Sequence, residues 1–157
     1  MISFTTDDFG NGHMRARSAL ARRIRDLPPL DDFLIIDDEP SDAKWLVSSL
    51  KLACGHAVQV RHARSLGTAL DAIKSAQPNL IFLDDRISPV DSALTSVPFI
   101  RRAGYGGPIV IVSGAMTRQR AVELLRTGAA AILHKDDIES ARVAELLLAI
   151  FGPKSPR

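Results

Sequence analysis

Cysteine is nearly absent from these 157 residues, with Cys54 the sole example. An intramolecular disulfide is therefore excluded, and Cys54, set in an apolar run, reads as a small buried hydrophobe. No apolar stretch approaches the ~20 residues that cross a bilayer. The opening MISFTTDDFG has neither a basic start nor an apolar h-region, so no secretory signal is read there. His13, His56, His62 and His134 lack metal-ligand spacing. Repeats and low-complexity tracts are missing too. Excess charge of one sign is missing from most of the chain. Residues 1–30 carry five arginines (Arg15, Arg17, Arg22, Arg23, Arg25) against Asp7, Asp8 and Asp26, whereas residues 31–157 hold 15 basic and 15 acidic side chains. That balance argues against a general polyanion-binding surface on the main domain. The expectation is a cytoplasmic protein that makes no membrane contact.

What is present is an alternation. Apolar content of 46% and charged content of 24% suit one globular domain with a real core. From residue 33 onward, short apolar runs read as strands at 33–37 (FLIID), 57–63 (AVQVRHA), 79–83 (NLIFL), 108–112 (PIVIV) and 129–133 (AAAIL). Helical spacing follows each run. After the first come Ala43, Leu46, Val47 and Leu50, with Ser41 as N-cap beyond a chain-breaking Pro40. After the second come Leu66, Ala69, Leu70 and Ile73, capped by Ser65. The remaining helices read as 95–103, with Pro98 in its first turn, 117–127 stopping at Gly128, and 137–151 ending at Gly152. This is (βα)5, an α/β fold with a parallel sheet and helices on both faces. Residues 1–30 form a separate arm. A helix over 14–27 would carry Leu20, Ile24 and Leu27 on one stripe before Pro28-Pro29 ends it.

Parallel connections put every strand's C-terminal end on one edge. Asp37 and Asp38 end the first strand, Asp84 and Asp85 the third, Ser113 the fourth, and Lys135 the fifth. Such an edge is where open α/β sheets bind ligands. Converging carboxylates repel one another unless a cation sits among them or some are protonated. Mg²⁺ takes oxygen ligands, keeps several waters, and is held by one or two carboxylates beside phosphate oxygens. With a lysine and a hydroxyl opposite, these are the parts for phosphoryl transfer onto an aspartate. The blander reading of each part alone stays open. An acidic pair after a strand can be a polar loop or a helix cap, Lys135 a solvated lysine, and Ser113 a turn residue. Asp85 and Asp91 read as loop residues rather than ligands.

Taken jointly and in order, the blocks FLIIDDEP, PNLIFLDD, Asp91 in the following loop, IVIVSGA and GAAAILHK resemble the receiver domain of bacterial two-component response regulators over about residues 31–152. The resemblance implies a flavodoxin-like sheet of order 2-1-3-4-5, an order quoted for the chemotaxis member of that family. It also implies roles: Asp84 as phosphoacceptor, Asp37 and Asp38 as the acidic pair for Mg²⁺, and the Arg86 backbone carbonyl as a further metal ligand. Ser113 would be the switch hydroxyl, and Lys135 the partner of the phosphoryl oxygens. The positions two beyond Asp84 and two beyond Ser113, Arg86 and Ala115, would govern the access of hydrolytic water. An arginine that shields and an alanine that cannot position water imply a long-lived phosphoryl group. Departures from the family pattern are Ser88 before Pro89, Ser92 in place of a glycine, Ile132 in place of the switch aromatic, and Asp136 after the lysine. They bear on loop geometry and on an aromatic output switch, and none removes a group facing phosphate or metal.

The expected partners are a sensor histidine kinase or a histidine phosphotransfer protein. With residues 153–157 as a tail, the chain reads as a single-domain regulator without a DNA-binding domain, acting through protein contacts or phosphorelay. The alternative is a degenerate receiver that binds partners without phosphorylation, but such a chain is expected to have lost an acid or the lysine. A haloacid-dehalogenase-type hydrolase needs an acid where Arg86 stands. In a flavin carrier, crevice carboxylates would disfavour the flavin phosphate. In the last helix, VAELLLAIF leaves Leu148, Ala149 and Phe151 over once Val143, Leu146, Leu147 and Ile150 serve the core. Those leftovers suggest a surface covered by a second copy, by a partner helix or by the N-terminal arm.

Overall fold

A computed structural model describes residues 22, 23, 25, 27–87 and 92–153. Five strands, β1 (Asp32–Ile36), β2 (Gln59–Ala63), β3 (Leu80–Asp84), β4 (Ile109–Ser113) and β5 (Ala131–His134), form one parallel sheet of order β2-β1-β3-β4-β5. Five helices alternate with them: α1 (Pro40–Cys54), α2 (Leu66–Ser75), α3 (Ala93–Arg102), α4 (Arg118–Leu125) and α5 (Ser140–Phe151). A 3-10 turn, Lys135–Asp137, links β5 to α5. The doubly wound (βα)5 fold and its strand order are as expected.

The central strands β3 and β4 are buried at every position. They are continuous apolar runs because both faces of a parallel sheet are covered. The period of two along each strand then sorts side chains between two cores. Phe33, Ile35, Leu80, Phe82, Val110 and Val112 meet Leu46 and Leu50 of α1 and Val143 and Leu147 of α5. Leu34, Ile36, Ile81, Leu83, Ile109 and Ile111 meet Ile73 of α2, Val97 and Ile100 of α3 and Leu124 of α4. The edge strand β2 is fastened by Arg61. Its guanidinium grips Asp32 of β1 with two nitrogens, at 3.0 and 2.8 Å, and donates to the Ala72 and Ala76 carbonyls at the end of α2. One side chain thus locks two strands and the carbonyl end of a helix.

Several boundaries differ from expectation for local reasons. The N-cap of α1 is Glu39, not Ser41. Its carboxylate accepts from the Ser41 N–H, and Pro40 is the first helical residue. Proline is well suited there because its missing N–H would be unpaired anyway. α3 starts at Ala93 rather than 95, since Asp85 receives the Ala93 N–H through both its backbone and its side chain. Pro98 therefore falls inside the helix and leaves the Leu94 carbonyl without its i+4 donor. Ser65 caps α2 as read, in a reciprocal box with Thr68. Gly128, at φ +95°, turns the chain after α4 in a conformation that other residues resist.

The surplus on α5 is spent inside the fold. Leu148 is buried and Phe151 half-buried against the core, leaving Ala149 exposed. The expectation that Leu148 is left over at the surface is corrected. α5 packs on the sheet and also along α1, so its apolar stripe is wider than a helix on a sheet alone requires. Leu27 and Leu30 pack against the same core. Cys54 is half-buried, and burial pushes its thiol up to about 11, so it stays protonated. Leu20, Ile24, Ser88, Pro89 and Asp91 lie outside the described residues. Trp45 and Leu52 of α1 are 67% and 71% exposed.

Truncating Leu147, which has no exposed surface, should cost about 2–5 kcal/mol in urea unfolding. Leu52→Ala, at an exposed site, should stay within about 0.5 kcal/mol of the unsubstituted protein.

Candidate functional site

Register decides which side chains meet. Ile36 pairs with Leu83 across β1 and β3, so Asp37 comes level with Asp84. Asp84 pairs with Val112 of β4, and Ser113 pairs with His134 of β5, so Ser113 stands one step beyond Asp84 and Lys135 one step beyond Ser113. Residues almost a hundred positions apart therefore share one corner of the sheet edge.

Asp37, Asp38 and Asp84 each bring a carboxylate oxygen to within 4.8 Å of the others. Asp37 and Asp84 are buried and Asp38 is exposed. Crowding of this kind has an electrostatic consequence. Burial pushes the Asp37 carboxyl up to about 7, against a hydrogen bond from the Glu39 N–H at 2.8 Å, and the neighbouring Asp84 adds to the rise. Without a cation, burial and the neighbouring carboxylate favour the protonated form of Asp37 far more than in a free carboxyl. The Asp37 backbone is pinned as well: its N–H donates to the Ala63 carbonyl, and its carbonyl accepts from His62 Nε2–H at 2.7 Å. Because a carbonyl can only accept, that contact places the His62 proton on Nε2.

Opposite the acids stands Lys135, its Nζ 3.4 Å from Asp84 Oδ1. Burial works to lower the Lys135 pKa, but the hydrogen bond to Asp42 and the charges of Asp84, Asp37 and Asp42 outweigh it and hold the pKa above its ordinary value. The ammonium is therefore charged at any physiological pH. The Ser113 hydroxyl, buried, donates to the Ala115 carbonyl at 3.0 Å. The Arg86 N–H donates to Asp84 Oδ1 at 3.3 Å, and Arg86 bridges to Ser92 across the loop that follows β3. All six predicted site residues are thus gathered at one edge.

Two further acids take part in the surroundings of the site. Asp42, in the first turn of α1, is the closer partner of Lys135, at 3.0 Å. Nothing in the sequence marked it, because its link to Lys135 spans 93 residues and exists only once β5 and α1 are in place. Asp85, read as a polar loop residue, is buried. It starts α3 and forms an ion pair with Arg120 of α4 at 3.0 Å. A hint was available, since a second acid directly after a buried strand is costly unless paired. Ile132, where the family pattern has an aromatic, packs half-buried against the core on the α2–α4 side. A cavity of about 620 Å³ opens beside the acids, with Asp84, Arg86, Ser113, Arg120 and Lys135 among its lining residues.

Comparison with known proteins gives a consistent result. The family profile of the response regulator receiver domain matches residues 33–147. The nitrogen assimilation regulatory protein NtrX of Azorhizobium caulinodans is 36% identical over 106 residues, 66% of this chain and 22% of that protein. The chain thus spans about a fifth of that relative's length. Among solved structures, the receiver domain of NtrX from Brucella abortus is 28% identical with a TM-score of 0.63, over 76% of this chain and 98% of that one. The chemotaxis protein CheY4 of Vibrio cholerae shares the fold at 20% identity, with a TM-score of 0.66 over 78% of this chain and all of that one. With the profile covering most of the chain and the acids, hydroxyl and lysine gathered at one sheet edge, the chain belongs to the response regulator receiver domains of two-component signalling.

Proposed function

We propose that Asp84 is the phosphoacceptor, taking a phosphoryl group from a phosphohistidine of a sensor histidine kinase or a histidine phosphotransfer protein. A carboxylate oxygen of Asp84 attacks phosphorus, the P–N bond breaks, and the imidazole leaves with the electron pair and takes up a proton. The phosphorylated protein then signals through protein contacts or passes the group onward in a relay. The observation carrying this reading is the placement of Asp84: buried, one of three clustered carboxylates, and 3.4 Å from a lysine. Lys135 offsets the charge of the phosphoryl oxygens. The Ser113 hydroxyl, which now donates to the Ala115 carbonyl, can turn toward a phosphoryl oxygen instead. Arg86 and Ala115 provide no base to position a water, which favours a long-lived phosphoryl group. A phosphorylation-independent binding module would be expected to lack an acid or the lysine, and this chain lacks neither.

Receiver domains bind Mg²⁺ at an acidic pocket, and the donor set here fits that cation. Three carboxylates crowd together, one of them with its pKa raised by burial and by its neighbours, and a divalent cation relieves that strain. Asp37, Asp38 and Asp84, with the Arg86 backbone carbonyl, would hold it. Bound there, Mg²⁺ would supply positive charge to the phosphoryl oxygens during transfer.

Acetyl phosphate with Mg²⁺ should add one phosphoryl group, read by intact mass, and Asp84→Asn should abolish the addition. Undiminished labelling of that variant would remove Asp84 from the role.

Mg²⁺ binding must displace the Asp37 proton. Affinity should therefore fall roughly tenfold per pH unit below about 7 and level off above it, measured by NMR titration.

Stability carries the opposite sign. Asp37 has a folded pKa near 7 and an ordinary value of 3.8, so the stability it contributes is present below 3.8 and lost as pH rises through about 7. At pH 8 without metal, Asp37→Asn should be more stable than the unsubstituted protein by about 1–3 kcal/mol, and the gain should vanish near pH 4. A gain independent of pH would refute the electrostatic origin.

A further inference from the structure

Lys135 is shared between two acids on different elements. Its Nζ lies 3.0 Å from Asp42 Oδ2 and 3.4 Å from Asp84 Oδ1. The shorter contact goes to the acid outside the metal cluster. Asp42 also sits in the first turn of α1, where the helix N-terminus favours a negative charge and helps fix the carboxylate in place. An isolated pair at this exposure, with side chains 25% and 34% accessible, would count for little. This pair is not isolated. Its lysine also reaches Asp84, whose side chain is 6% accessible, and members of one ion-pair network are energetically coupled.

We propose that Asp42 is a positioning residue that holds Lys135 toward α1 in the unphosphorylated protein and limits how strongly the ammonium engages Asp84. The inference rests on the reading of Asp84 as phosphoacceptor and metal ligand. Its physical content is a competition. Lys135 carries one positive charge shared between the two acids, and the pull of Asp42 keeps the ammonium from settling closer on Asp84. Without the Asp42 carboxylate, the ammonium falls wholly to the clustered acids and competes there with a metal cation. When a phosphoryl group arrives on Asp84, its greater negative charge outbids Asp42 and Lys135 swings across. α1 is thereby released from its tie to the turn after β5.

The test is a double-mutant cycle with Mg²⁺ alone as the probe. Mg²⁺ affinity is measured by NMR titration of the unsubstituted protein, Asp42→Asn, Lys135→Met and the double variant. Asp42→Asn should weaken Mg²⁺ binding about three- to tenfold where Lys135 is present, and less than about twofold in the Lys135→Met background. Asp42→Ser, which also removes the charge, should reproduce the loss and guards against a fault peculiar to asparagine. Equal losses in both backgrounds would mean that Asp42 acts as a bare charge at a distance, and no loss in either would mean that the pair is idle. Both results overturn the proposal. Labelling of the same unsubstituted preparation by acetyl phosphate separates the two levels of failure. An unlabelled Asp84 rejects the phosphoacceptor reading itself, whereas normal labelling without Lys135-dependent coupling rejects the role of Asp42 alone.

Discussion

Three carboxylates held within 4.8 Å of one another at a sheet edge are the constraint around which this molecule is arranged. Left alone they repel, and burial of two of them sharpens the repulsion because the interior screens charge poorly. The surroundings compensate locally. The Glu39 N–H donates to Asp37, the Arg86 N–H donates to Asp84, and Lys135 stands within ion-pair distance. These contacts do not complete the compensation, since the Asp37 carboxyl still sits near 7. A site left electrostatically unfinished in this way is one that a cation can complete. Stability without ligand and readiness for ligand therefore pull in opposite directions at the same three residues.

The sheet makes such an arrangement tolerable. β3 and β4 are buried at all positions and paired on both sides, so the strand that ends in Asp84 cannot retreat from its neighbours. Rigidity of the platform holds the acids together against their repulsion. The strand ends and the turns just beyond them carry the adaptable parts: the Ser113 hydroxyl at the end of β4, with a replaceable backbone acceptor, and Lys135 in the turn after β5, with two acids to choose between.

Ion pairs tie the site to the surrounding helices. Asp85 follows Asp84 directly, receives the first N–H of α3 and pairs with Arg120 of α4. Lys135 joins the turn after β5 to α1 through Asp42. Each connection runs from a residue at or beside the phosphoacceptor candidate to a helix. The position on β5 where the family pattern has an aromatic holds Ile132, which packs half-buried against the core.

The sequence by itself determined the alternation of strand and helix, the parallel sheet, and the gathering of Asp37, Asp38, Asp84, Ser113 and Lys135 at one edge. These follow from short apolar runs and from the geometry of crossover connections, which are local signals with one global consequence. Local chemistry misled where two signals competed. Pro40 opens α1 instead of breaking the chain, and Pro98 sits within α3 because Asp85 starts that helix early. Tertiary structure alone decided the partners of charges and the fate of surplus apolar surface. Asp42 meets Lys135 and Asp85 meets Arg120 only when distant elements are brought together, and no periodicity encodes a salt bridge across 93 or 35 residues. Leu148 is buried, and α5 packs against α1 as well as the sheet. A helical wheel shows how much apolar face a helix has, but the number of neighbours waiting to cover it is a property of the assembled fold.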